Sequence, residues 1–292
     1  WAGIILPNGK EIKKSFSFNN NKKGFESLVE TVKNVLTMLN FKKAIIGMEP
    51  TGHYWKSCAR YLKKIDWIKV VTVNPYHVKN SKEFDDNCQT KNDKKDCMTI
   101  ARLIKDARFF EPYLPEGIWA ELRNLSNTRA ELVGKQNAVK NRLIATMDEY
   151  FPEYTKVFKK ILSRTSEEIL KECPFPEDIK SKGKEELLKH IKKTVKRGYS
   201  KKQVETIYEL ANESIGTTEG TEGAKFQLNM YIEEAKLLDK QIKMTEQELE
   251  RQLKETGFYE SLTSIQGIGI VSAATFVGEV GDINRFDSYE QI

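Results

Sequence analysis

The spacing of apolar residues changes character once along this chain, and the change limits what it can fold into. Before about residue 112, apolar residues come in short runs separated by turn residues. From Leu125 onward they recur with a helical period: Leu132, Val139, Leu143 and Met147 keep near-heptad spacing. Leu228, Tyr231, Ala235, Leu238, Ile242, Thr245 and Leu249 keep it more regularly. A repeat near 3.5 residues marks a coiled-coil seam. Two such helices can pair antiparallel within one chain or between chains, and a plain helical bundle accommodates the same spacing. The 292 residues suit about two domains.

The first part reads as α/β. Residues 2–6 form a strand, Asn8-Gly9 makes a turn, and residues 11–18 return as the second arm of a hairpin. Phe25, Leu28, Val32, Val35, Leu36 and Leu39 predict a helix. Lys43–Met48 is a short buried strand, residues 53–64 a helix, and Ile68–Val73 another strand. A helix over 93–107 closes a unit expected to be a mixed sheet flanked by helices. The expected boundaries are 1–112 for this domain, 113–255 for a helical region with a basic insert at 152–202, and 256–292 for a third part. Thr217–Gly223 is a polar loop leading into the second long helix.

Charge is segregated. Residues 152–202 hold 15 Lys and Arg against 8 Asp and Glu, whereas the remainder holds 33 against 34. One segment thus carries the whole net charge of +6, as a phosphate-facing surface would. Lys192, Lys193, Lys196 and Arg197 are its densest cluster. A solvated helical face would show the same composition. Charged residues make up 31% of the chain, and no apolar run approaches the ~20 residues of a membrane span. With no basic-then-apolar leader at residue 1, a cytoplasmic protein is expected. Cys58, Cys88, Cys97 and Cys173 lack C-x-x-C spacing and read as plain thiols.

Three carboxylates stand out. Glu49 ends the strand 43–48 and is followed by Pro50-Thr51-Gly52. The carboxyl edge of an α/β sheet is where ligands bind. Asp93 and Asp96, three apart at a helix start, share a face. Converging carboxylates need a cation, and oxygen-only ligation suits Mg²⁺ or Mn²⁺. Two such ions about 4 Å apart support phosphoryl transfer. Asp93 could equally be a helix cap, and Asp96 could pair with Lys91 or Arg102.

Leu262 through Ala274 holds an apolar helix end, the turn Gly267-Ile268-Gly269, and a helix of small residues. This resembles a helix-hairpin-helix, whose glycines and free helix N–H groups accept a phosphate. A tight turn inside a core is the other reading. Tyr54 and Trp55 read as packing of helix on sheet. His53 could approach the carboxylates, and neither His77 nor His190 has an evident partner.

At Gly47-Met48-Glu49-Pro50-Thr51-Gly52-His53-Tyr54-Trp55 the chain resembles the prokaryotic insertion-sequence transposases that carry an N-terminal RuvC-like DEDD domain and a C-terminal serine domain. Residues 73–78, 91–97 with 100–103, and 264–269 through 278–286 agree with the same family. The resemblance implies an RNase H-like fold followed by a coiled-coil region and the start of a helix-hairpin-helix-like domain. It implies a metal site in which Glu49, Asp93 and Asp96 match the last three of four ligands. The first of the four, an Asp, is expected before Trp1, and a nucleophilic serine beyond Ile292, so that Ser264, Ser272 and Ser288 are not candidates. It further implies DNA as substrate, a structured guide RNA encoded by the element in some members, a homodimer or higher homo-oligomer, and residence at the nucleoid. Taken alone, residues 1–292 are expected to be inactive in strand exchange, yet to dimerise and bind nucleic acid. Two alternatives stay open. One is a RuvC-like nuclease or resolvase that hydrolyses DNA without a serine. The other is a catalytically dead nucleic-acid-binding scaffold.

Overall fold

The computed structural model describes residues 1–86, 93–195 and 198–291, which form two compact units, Trp1–Leu114 and Pro115–Ile292. In the first, β1 (Ala2–Ile5) and β2 (Glu11–Phe16) form an antiparallel hairpin, and Gly9 takes a positive φ of 85° in its turn. α1 (Lys22–Met38) is capped by Asn21, whose side chain accepts from Gly24 N at 2.9 Å. β3 (Ala44–Met48), α2 (Tyr54–Lys63) and β4 (Ile68–Thr72) make a strand–helix–strand unit, with β3 and β4 parallel in the register Ala44↔Ile68 to Met48↔Thr72. α3 (Pro75–Asp86) and α4 (Asp93–Lys105) follow. The chain then returns to β4, where Thr72 and Phe110 exchange backbone hydrogen bonds at 2.8 and 3.0 Å.

Two features depart from the sequence expectation. α3 is a helix that the apolar spacing does not predict, although Pro75 at its first position and the Asn74 side chain accepting from Tyr76 N at 2.9 Å are ordinary helix-start chemistry. Among the described residues, the strands form two separate two-stranded sheets, not one mixed sheet. β1 and β3 both line one cavity of about 870 Å³ instead of pairing with each other.

Helix α4 joins the two sheets by packing on β1, β2 and β3. Glycines in the strands permit the approach. A Cβ on Gly3 would run into the Met98 sulfur and the Lys14 carbonyl, and one on Gly47 into the Ile104 side chain. Phe25, Leu28 and Val32 of α1, Cys58 and Leu62 of α2, and Ile68 of β4 complete the core.

The second unit is helical. α5 (Gly117–Tyr150) and α11 (Thr221–Glu255), each about 50 Å long, pair with each other. Arg129 meets Glu246 at 2.7 Å, and Arg142 lies over the Tyr231 ring at 5.9 Å, which makes the pairing antiparallel. Val139, Leu143, Met147, Leu228, Ala235, Leu238, Ile242 and Leu249 are buried, so the heptad positions are consumed within the chain. Between them stand α6 (Tyr154–Val157), α7 (Arg164–Glu172), α8 (Pro176–Lys182), α9 (Lys184–Thr194) and α10 (Lys201–Glu213). Their core includes a buried polar network: Tyr154 Oη contacts Ser166 Oγ at 2.9 Å, and Ser166 Oγ donates to the Ile161 carbonyl at 2.6 Å. α12 (Tyr259–Thr263) and α13 (Ile270–Val280) pack with α5 and α11 through Leu122, Leu249, Leu253, Ala273, Ala274 and Val277.

The thiol reading holds for the cysteines the structure describes. Cys58 and Cys173 are buried and free, with burial pushing their pKa up to about 11 and about 12. Cys97 is half-buried, and burial raises its pKa too. Cys88 lies outside the described residues. No helix among the described residues is long and apolar enough to cross a membrane.

Two glycines in the long-helix unit should respond in opposite ways to the same change. A Cβ on Gly278 would stand 2.8 Å from Arg123 N and 3.0 Å from the Leu122 carbonyl carbon, backbone that cannot swing away, whereas one on Gly134 meets open space. Gly278→Ala should destabilise by about 1–3 kcal/mol, and Gly134→Ala should stabilise by roughly 0.5–1 kcal/mol. Urea unfolding of both variants reads the two signs. Equal effects would contradict the close α13–α5 crossing.

Candidate metal site and nucleic-acid surfaces

Glu49 follows β3 directly, and the parallel pairing with β4 sets that strand end. The Pro50-Thr51-Gly52 turn behind it is held by two hydrogen bonds: Thr51 Oγ1 donates to Glu49 Oε1 at 2.7 Å, and Thr51 N donates to the Glu49 carbonyl at 2.9 Å. Gly52 adopts φ +63°, a left-handed conformation that a side chain would strain. Glu49 is half-buried and faces the cavity between the half-sheets.

Asp96 reaches the same cavity from the other direction. It lies on the first turn of α4, half-buried, with Cys97, Ile100, Ala101 and Ile104 of the same helix also lining the space. Arg102 binds Glu11 of β2 at 3.2 Å, which fastens α4 to the hairpin. Asp93 opens α4, and its side chain lies outside the described residues. Two of the three expected carboxylates thus line one cavity. Among the described residues, no group of three or more His, Cys, Asp or Glu could hold a metal ion. The oxygen chemistry of Glu49 and Asp96 fits Mg²⁺ or Mn²⁺ in kind.

Trp55 is half-buried and lines the cavity, as packing requires. Tyr54 does not pack as expected: it is 70% exposed. As the first residue of α2 it precedes the helix face that meets the sheet, which Cys58, Ala59 and Leu62 supply. His53 is exposed and lies against Tyr54, their ring centroids 4.1 Å apart.

Tertiary structure sorts the basic insert into two classes. Lys171, Lys180, Lys182, Lys184 and Lys201 are tied to carboxylates. Lys182 is held to Glu172, and that pairing lowers the Glu172 pKa. Lys192 and Lys193, in the last turn of α9, are exposed, and no carboxylate among the described residues pairs with them. Lys196 and Arg197 lie outside the described residues. Exposed and likewise unpaired among the described residues are Lys156, Lys159, Lys160, Arg164, Lys189 and Lys202, which composition alone does not single out.

The Gly267-Ile268-Gly269 turn joins α12 to α13 at the surface. Gly267 has φ +91° and is exposed, Ile268 is half-buried, and Gly269 caps α13 without a side-chain hydrogen bond. A Cβ on either glycine would meet nothing within 4 Å. Nothing inside the unit therefore demands glycine at Gly269, in contrast to Gly278, while Leu262 and Ile268 pack against the core cluster that α12 and α13 share with α5 and α11.

A search of curated proteins gave no match. Family models did. Residues 1–152 match the DEDD transposase model of IS110, and residues 259–292 match a model described as "Transposase IS116/IS110/IS902 family". The first match takes in β1 to β4, Glu49, Asp93, Asp96 and all of α5. The second takes in the glycine turn and α13. With more than half of its length inside the first model, this chain belongs to the IS110 family of DNA transposases.

Proposed function

We propose that Glu49, Asp93 and Asp96 hold a divalent cation, Mg²⁺ or Mn²⁺, and serve the strand exchange of an insertion sequence. The observation that carries this reading is the convergence of Glu49 and Asp96 on one cavity, from two elements far apart in the chain, within the stretch matching the DEDD transposase model. A bound cation would supply charge neutralisation at the reacting phosphate. The protein's part is to fix the ligands. Thr51 orients the Glu49 carboxylate, and the Gly3 and Gly47 contacts seat the helix that carries Asp96. A serine nucleophile acts with this site in the same reading, and Ser264, Ser272 and Ser288 are not assigned that role. DNA is held by the exposed lysines of the insert, with Gly267, Ile268 and Gly269 offering α13 N–H groups to a backbone phosphate. A structured RNA encoded by the element is a second partner.

Self-association belongs to this proposal but cannot use the Leu228–Leu249 seam, which α5 covers. The surface left on α11 is a second apolar row, Met230, Leu237 and Met244 at seven-residue spacing with Phe226 one turn ahead, each at least half exposed. We assign the homo-oligomer contact to this row.

Three measurements follow. Calorimetric titration with Mn²⁺ should show binding to the chain, weakened about tenfold or more by Glu49→Gln or by Asp96→Asn as a charged ligand is lost, with nucleic-acid binding in chelator unchanged. Equal Mn²⁺ affinity in all three proteins would remove the metal site. For duplex DNA, replacing Lys156, Lys159, Lys160, Lys192 and Lys193 with Ala should flatten the slope of log affinity against log salt by about 0.9 for each phosphate that is no longer neutralised. Replacing the ion-paired Lys182 and Lys184 should leave the slope alone, and a slope indifferent to both sets would make the insert a solvated face. Sedimentation should find the chain associated at micromolar concentration and Leu237→Lys monomeric. A wild-type monomer would exclude the α11 contact.

A further inference from the structure

We propose that Tyr54 and Tyr76 are stacking platforms for unpaired bases of a DNA strand at the carboxyl edge of β3 and β4. The proposal rests on the nucleic-acid reading above and adds what that edge recognises. β3 and β4 end level with each other, Met48 opposite Thr72, and Val73 N donates to the Met48 carbonyl at 3.1 Å. Both strands therefore release the chain at one edge. Each segment then starts a helix with an exposed tyrosine: Tyr54 is 70% exposed and Tyr76 66%.

Single exposed aromatics are common on protein surfaces. This pair has three further properties. Each tyrosine lies beside an exposed imidazole, His53 at 4.1 Å from Tyr54 and His77 at 6.0 Å from Tyr76, so each site offers two planar groups. The backbone before each is fixed: the Asn74 side chain accepts from Tyr76 N, and Thr51 N donates to the Glu49 carbonyl in the turn before Tyr54, where Gly52 is left-handed. Each is accompanied by cations, Lys56 and Arg60 on α2 and Lys79 on α3, all exposed and paired with no carboxylate among the described residues.

Rings interleaved with cations match a single strand, which presents base faces and phosphates together. A base-paired duplex keeps its base faces stacked inside. Glu49 begins the same edge loop, so a strand held by Tyr54 would pass beside the carboxylate.

The test uses the 292-residue chain and a labelled single-stranded DNA of about 12 nucleotides, within the length such surfaces cover. Tyr54→Ala and Tyr76→Ala should each weaken binding by about tenfold, while Tyr54→Phe and Tyr76→Phe, which keep the ring, should bind as the unaltered protein does. The salt slope should be unchanged, because no charge is removed. An adenine analogue whose fluorescence is quenched by stacking, placed within the oligonucleotide, should lose its quenching in the Ala variants alone. Because both side chains are exposed, unchanged thermal unfolding should accompany these effects. Ala variants that bind single strands normally would overturn the proposal, as would an equal loss on duplex DNA or a ring dependence confined to RNA. In those cases lysine-dependent DNA binding would persist and leave the broader reading standing. A chain that binds no nucleic acid at all would overturn both.

Discussion

The seating of α4 on both half-sheets is the contact on which the first unit depends. A two-stranded sheet is at best marginally stable alone, and here there are two of them. Neither has the area to bury a core by itself. α4 packs on β1, β2 and β3, and it can do so because Gly3 and Gly47 leave room for Met98 and Ile104. The same contact places Asp96. With α4 displaced outward, Asp96 would leave the cavity that Glu49 also lines. Packing and site geometry are thus one constraint in this unit.

In the second unit the governing choice is which charges are neutralised. The insert between α5 and α11 is lysine-rich throughout, yet its lysines are not equivalent. Those near α7, α8 and α10 meet glutamates and contribute to holding short helices around a core that includes the buried Tyr154–Ser166 pair. Surface pairs of this kind add little each. Their larger effect is to leave, among the described residues, the unneutralised cations at Lys156, Lys159, Lys160, Arg164, Lys189, Lys192, Lys193 and Lys202. A net excess spread along the whole insert in sequence becomes a few cations left without a carboxylate partner among the described residues.

Much of this is legible from residue order. The hairpin, α1, β3, α2, β4 and α4 fall within a residue or a few of where alternation, helical spacing and turn residues put them, and the two long helices bury most of the heptad positions that mark them. Glu49 stands out in the sequence because it follows an apolar strand, expected to be buried, that the structure leaves half-buried with Ile45 exposed, and Asp96 because its three-residue offset from Asp93 shares a helix face. α3 escapes such a reading although Asn74-Pro75 is a helix start, since the apolar period after it is weak. Tyr54 reads as packing and is not, because its neighbours Trp55 and Cys58 do turn inward.

By itself, then, the sequence determined most of the element types, though not α3, together with the strand-end glutamate, the location of the charge excess and the family, all of which depend on local spacing or on short motifs. The tertiary structure decided the rest. It split the expected mixed sheet into two pairs facing one cavity, assigned the heptad seam to contacts within the chain, exposed Tyr54 and Tyr76 at one edge, and separated paired lysines from unpaired ones. Each of these depends on which residues far apart in the chain come within a few ångströms of one another. Periodicity fixes the face a side chain occupies on its own element, but the partner that meets that face is set by packing across elements.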